Sequence, residues 1–237
     1  MAKMVGYACS IKLSWMRKAV ELKEAGVNEA IFKEAMNEYL SYEIDSPTRL
    51  RKSREILMNV WFYENKNEQV SNFRKDALVM LKRSPDDEVA IFYTMLCATY
   101  PVFAEVSSTM ARLFQFKDEI TTLELKQKLY DSWGERGTLE ATSRRITLTM
   151  KDLHILSNST RGKYTLTKQQ IKSPSVVKFC LYVMMSIEQN TYTTFVDLAD
   201  YRLLFPFEYK VSKEALIEDE RFVMSNFGGE TTVSIRE

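Results

Sequence analysis

The side chains between residues 142 and 163 carry the most recognisable chemistry of this chain. Arg144, Thr147 and Lys151 recur at helical spacing, Arg145 lies beside them, and Thr142 and Ser143 stand closer to the start of the same segment. An arginine pairs bidentately with O6 and N7 of guanine, whereas threonine and lysine more often hold phosphate oxygens. Arg161 and Lys163 follow on a polar hairpin, 157–162, that leads into the strand-like segment 163–167. A second basic group, Arg49, Arg51, Lys52 and Arg54, lies in a helical pattern over 48–61, where Arg49, Lys52 and Ser53 share one side. Both groups are suited to the phosphate backbone of duplex DNA. Two plainer readings stay open: a helical bundle with a solvated basic face, and a winged helix that binds protein.

Other chemistry has little to stand on. His154 is the only histidine, so any Ser-His or Cys-His catalytic pair has to use it; its place near the end of a helical segment points instead to packing or capping. The cysteines, Cys9, Cys97 and Cys180, are odd in number and far apart, which fits buried thiols in a reducing compartment better than a disulfide frame or a zinc site. No phosphate-binding glycine loop is present. The acidic pairs Asp86-Asp87 and Asp219-Glu220 lack a nuclease spacing and read as solvated surface. Asn158-Ser159-Thr160 matches a glycosylation acceptor, an accidental match without a secretory signal. No catalytic residue, metal ligand or cofactor is expected, and the chain is read as non-enzymatic.

The elements that must position the cations follow from hydrophobic spacing. An amphipathic helix over 121–133 is broken at 134–137 by two glycines and followed by a helix over 138–156, in which Ile146, Met150 and Leu153 face inward. Helix, turn, helix and basic hairpin is the order of a winged helix, a fold that presents its second helix to the major groove. Nearer the start, 13–25 is a helix ended by Gly26. Asn28 caps a second helix with Ile31, Phe32, Ala35, Met36, Tyr39 and Leu40 inward, and Ser46-Pro47 opens a third, with Leu50, Leu57, Val60 and Trp61 toward the core. The second and third form a helix-turn-helix-like pair.

Residues 64–68 make a charged link. Helices over 70–82, 89–100 and 102–114 follow, the middle one apolar nearly all round and therefore expected at the buried centre. After the wing come an apolar helix over 175–188, a helix or helix pair over 191–204, a short helix over 212–219 capped by Ser212, and a hairpin over 221–235 turning at Gly228-Gly229. The expected fold class is mainly α: two helix-turn-helix-like modules, the second winged, joined by a helical scaffold, with a short C-terminal β-hairpin. The expected domains are 1–68, 69–120, 121–172 and 173–237.

Composition supports this reading. With 45% hydrophobic and 27% charged residues among 237, the chain can bury a substantial core. Seven glycines and five prolines are too few for a loop-rich β fold. No apolar run approaches the roughly 18 residues a membrane span needs, and the start lacks a signal-peptide core, so a cytoplasmic chain without membrane contact is expected. The net charge of +1 hides an alternation: +4 over 1–83, −4 over 84–120, +6 over 121–178 and −5 over 179–237. The two basic blocks coincide with the two helix-turn-helix patterns, and clustered cations supply the salt-dependent part of nucleic-acid affinity.

The basic helix around Asp45-Ser-Pro-Thr-Arg-Leu-Arg-Lys-Ser-Arg-Glu-Ile-Leu57, the apolar helix reaching Ala98-Thr-Tyr-Pro101, and Ala141-Thr-Ser-Arg-Arg-Ile146 running into Leu153-His-Ile-Leu156 together resemble the small A component (BrxA) of BREX phage-defence systems. The resemblance covers most of 13–167 as a pattern and rests on no short diagnostic motif. It implies a bacterial cytoplasmic protein that binds double-stranded DNA beside other defence-system proteins, with catalysis in those partners. A protein–protein adaptor and a transcriptional regulator are the alternatives; the acidic stretch 179–237 suits the adaptor, and no zipper for a regulator is apparent.

Overall fold

Short polar side chains, prolines and glycines set the helix limits in the computed structural model, which describes residues 6–64, 68–135, 137–189 and 192–236. Helix α1 (Leu13–Glu24) stops where Gly26 takes a φ of 68°, a region that costs an L side chain energy but not glycine. Helix α2 (Glu29–Ser41) starts at Asn28, whose side chain accepts the Ile31 N–H at 3.0 Å. Helix α3 (Pro47–Trp61) starts at Ser46 with Pro47 in its first turn, where the missing N–H costs nothing. Helix α4 (Glu68–Arg83) leads through a 3-10 turn, Pro85–Asp87, into α5 (Glu88–Thr99) and α6 (Pro101–Phe114).

Next come β1 (Glu119–Thr121), α7 (Thr122–Trp133), α8 (Gly137–Asp152), β2 (Leu156–Thr160), β3 (Lys163–Leu166) and β4 (Gln169–Gln170). Helix α9 (Pro174–Glu188), β5 (Thr193–Thr194), α10 (Phe195–Ala199), a 3-10 turn, Arg202–Leu204, and β6 (Phe207–Glu208) follow. Helix α11 (Lys213–Ile217), β7 (Phe222–Phe227) and β8 (Glu230–Ile235) complete a mainly α fold.

Helix α5 is the centre. Every residue from Ala90 to Ala98 is buried, because α3, α4, α6 and α9 pack around it. Burying a side chain of the size of Ile91 or Phe92 contributes roughly 1.5–3 kcal/mol. The polar atoms carried inward find partners: the Tyr93 hydroxyl donates to the Leu203 carbonyl at 2.9 Å and the Thr94 hydroxyl to the Cys180 sulfur at 3.2 Å. Helices α5 and α6 meet at a 118° bend, and no single helix among the described residues is long and apolar enough to cross a membrane. Buried side chains form one cluster from Tyr7 to Val233.

Strand β3 lies between β1 and β2, antiparallel to both, with Ile120 opposite Tyr164 and Asn158 also opposite Tyr164. The register shifts between Asn158 and Thr160 as the chain turns at Gly162, whose φ is 79°.

The structure departs from the sequence reading in several places. Helix α8 ends at Asp152, not at 156. His154 adopts a φ of 58°, its N–H reaches the Lys151 carbonyl, and the Ile155 N–H reaches the Met150 carbonyl, each at 2.9 Å. These are the two bonds of a Schellman termination, built on a histidine instead of the usual glycine. Ile155 and Leu156 thereby leave the helix. Within 191–204 the chain forms β5, the five-residue α10 and a 3-10 turn instead of a helix pair, and β5 adds a third strand to the terminal hairpin, in the order β5-β8-β7. Ile31, expected inward, is 49% exposed, while Ser53 is fully buried.

In each acidic pair one carboxylate is engaged in the fold, while Asp86 and Glu220 are exposed. Asp87 is buried and accepts the N–H groups of Lys172 and Ser173 at 2.9 and 2.8 Å, tying the start of α5 to the start of α9. Asp219 takes two hydrogen bonds from the Arg221 guanidinium at 2.8 Å each. Parts of the expected link at 64–68, of the break at 134–137 and of the segment 191–204, and the chain start at 1–5, lie outside the described residues.

Candidate nucleic-acid interface

Two local devices place α8. A capping box opens α7: the Thr121 hydroxyl accepts the Glu124 N–H at 3.1 Å and the Glu124 carboxylate accepts the Thr121 N–H at 2.9 Å. Together with a contact from the Lys117 ammonium, the largest influence, these bonds hold the Glu124 carboxyl down to about 2. Gly134, at a φ of 74°, then ends α7. Helix α8 buries Leu139, Ile146 and Met150, with Leu153 just beyond its end, against the core.

That burial leaves a narrow free stripe. Ala141, Arg144 and Leu148 are exposed at helical spacing, and Lys151 continues the line half-buried. Arg145 is half-buried, with Nη1 3.5 Å from the Tyr7 carbonyl. Thr142, Ser143 and Thr147, expected as base or phosphate contacts, are 2–4% exposed. The Ser143 hydroxyl donates back to the Glu140 carbonyl and the Thr147 hydroxyl to the Ser143 carbonyl, both at 2.9 Å. These three face α8's packed side and are withdrawn from the contact surface. The stripe adds two residues that the sequence did not single out as contacts, Ala141 and Leu148. The 141, 144, 148, 151 spacing was visible in the sequence, but apolar residues on it gave no signal of a contact surface. Apolar side chains on a groove-facing helix can meet thymine methyl groups.

On the hairpin, Arg161 is exposed. Lys163 is engaged: its ammonium lies 2.8 Å from the Glu119 carboxylate, and this contact, with one from Ser159, holds the Glu119 carboxyl below the ordinary range. In α3, Arg49, Arg51 and Lys52 are exposed along the first turns. Arg54 is not part of that face. Its guanidinium bonds Asn37 of α2 at 2.8 Å and Glu55 at 3.0 Å and is largely covered, so it braces α3 against α2.

Charge pairing differs among the exposed cations, and cations without an ion pair among the described residues also occur elsewhere, at Arg83, Lys128 and Lys210 among others. Arg17, Lys18, Lys23, Lys33, Lys126, Lys172 and Arg202 each sit against a carboxylate. Arg49, Arg51, Lys52, Arg144, Arg145, Lys151 and Arg161 make no ion pair among the described residues. An exposed cation that makes no ion pair, such as Arg49, Arg51, Lys52, Arg144 or Arg161, keeps most of its field for an external anion.

The cysteine thiols are turned inward, whereas His154 is exposed. Burial pushes the Cys97 and Cys180 thiols up to about 12, and His154 serves α8 through its backbone. No group of three or more His, Cys, Asp or Glu among the described residues could hold a metal ion. No protein-family model matches the chain, and no curated protein or solved structure matches it.

Proposed function

We propose that this chain is a non-enzymatic double-stranded DNA-binding protein. The α6–β1–α7–α8–β2–β3 unit serves as a winged helix, and α2–α3 serves as a second helix-turn-helix. The observation that carries the reading is the clustering of cations that make no ion pair on the first turns of α3, on the open stripe of α8 and at the hairpin tip. The sheet order β1-β3-β2 supports it, since in a winged helix the strand before the two helices closes onto the hairpin. Affinity comes mainly from phosphate contacts by Arg and Lys, with modest sequence preference from Arg144 and the apolar stripe. The resemblance to the A component of BREX systems supports a role in bacterial phage defence, beside partner subunits that carry the catalysis.

The test is binding to random-sequence duplex across a salt series. Wild-type affinity is expected to fall steeply with salt. Replacing Arg144, Arg145 and Lys151 by alanine is expected to weaken binding and lower the salt slope by up to roughly 3, about 0.9 for each phosphate no longer neutralised. An unchanged slope would remove α8 from the interface.

A protein–protein adaptor is the second reading, favoured by the corner between α6 and α7. Phe116 is 85% and Leu123 70% exposed there, and Leu113, Phe116 and Lys128 line a cleft of about 650 Å³. Absence of duplex binding by the wild-type chain at low salt would make this reading the leading one.

A further inference from the structure

The segment ahead of α1 touches both basic helices. Tyr7, Cys9 and Ile11 alternate inward and are 1%, 8% and 0% exposed, the period of an extended chain. Toward α8, the Tyr7 hydroxyl and the Ile11 N–H both meet the Thr149 hydroxyl oxygen at 2.9 Å, and the Tyr7 carbonyl lies against Arg145. Toward α3, the Cys9 sulfur lies 3.9 Å from the Arg49 carbonyl. The Thr149 hydroxyl also donates to the Arg145 carbonyl at 3.2 Å. Its single proton is thus committed, and the Tyr7 hydroxyl is the donor in their pair.

These contacts fix a spacing. Tyr7 and Cys9 are two residues apart, about 7 Å of extended chain. The points at which the strap touches the first turn of α3 and the middle of α8 are therefore about 7 Å apart along the strand. Arg49, Arg51 and Lys52 belong to the helix that the strap meets at Cys9, and Arg144, Arg145 and Lys151 to the helix that it meets at Tyr7 and Ile11. One turn of duplex is about 34 Å long and carries a charge every ~1.7 Å of axis, so both groups fall within the reach of a single turn.

We infer that α3 and α8 form one continuous cationic face for a single DNA duplex, and that residues 6–12 are the strap that holds the two helices in register. This rests on the DNA-binding reading above and adds to it that both modules grip the same duplex. The alternative geometry, two independent sites, would let one chain bridge two duplexes.

The experiment is fluorescence anisotropy with a random duplex of about 14 base pairs, a little over one turn, together with stoichiometric titration, on the full chain. Wild type is compared with R49A/R51A/K52A, with R144A/R145A/K151A and with the reversal R51E/K52E, whose positions are exposed. Thermal melts establish that each variant is folded. The inference expects one duplex per chain and a salt slope lowered by up to roughly 3 in each triple variant. It also expects the reversal to weaken binding more than tenfold. Loss in the α8 variant alone, with affinity and slope unchanged in both α3 variants, overturns the shared face and leaves the DNA reading standing. Two duplexes bound per chain does the same. No binding by wild type at low salt overturns the DNA reading and the shared face together.

Discussion

Thr149→Val tests the strap most directly. Valine keeps the shape and β-branching of threonine, so neither packing nor helix propensity changes much. What changes is hydrogen bonding. The Thr149 oxygen accepts from the Tyr7 hydroxyl and from the Ile11 N–H, and both donors are buried. Valine leaves both without a partner, and each buried orphan costs ~1–3 kcal/mol. The expected loss is roughly 2–6 kcal/mol against a total stability of about 5–15 kcal/mol for a typical protein. At ~2–4 °C per kcal/mol for a chain of this size, Tm falls by about 10 °C. Tyr7→Phe removes the donor along with its need, and costs only about 0.5–1.5 kcal/mol. The double variant therefore costs less than the sum of the two, with a coupling of about 1 kcal/mol or more. Urea denaturation of the four proteins gives the cycle. A Thr149→Val loss below about 0.5 kcal/mol, or strict additivity, would refute the reasoning.

Four further outcomes are expected. Asp87→Ala strands the N–H groups of Lys172 and Ser173 at the head of α9 and should cost ~1–3 kcal/mol, while Asp87→Asn, which keeps one acceptor oxygen, should cost less in the same urea titration. His154→Gly relieves a left-handed side chain, worth ~1–2 kcal/mol, against glycine's entropy cost of ~0.5–1 kcal/mol, so the variant should match or exceed wild type in Tm. The Glu124 and Asp219 carboxyls are both held down to about 2, by Lys117 and Arg221 first, so their stabilisation is full above the ordinary carboxylate range and fades as pH falls from about 4.5 toward 2; Glu124→Gln should flatten the acid limb of the stability curve. Cys9, Cys97 and Cys180 are buried, so a thiol reagent should label them in native protein only as fast as it opens, and rapidly in denaturant.

Local chemistry determined most of the elements from the sequence alone. Asn28, Ser46, Thr121 and Ser212 cap helices because their side chains reach N–H groups three residues ahead, a reach set by geometry that needs no partner from elsewhere. The apolar run 89–100 marked a helix buried on all sides. The presence of Arg49, Arg51, Lys52, Arg144, Arg145, Lys151 and Arg161 was legible, but not which of them would be exposed. Tertiary packing decided which helix faces stayed open. Thr142, Ser143 and Thr147 share Arg144's segment, but a hydroxyl can satisfy itself on its own helix and so be buried cheaply, whereas a guanidinium cannot. Ala141 and Leu148 stayed outside because α8 had already filled its inner face. The termination of α8 after Asp152, with His154 left-handed, places Leu156 opposite Leu166 in the sheet, a pairing that only the folded chain supplies. The strap was not read from the sequence: three alternating residues are too short a signal, and their partner, Thr149, lies 138 to 142 residues away. Nothing local encodes a contact at that separation; only the folded core brings the two together.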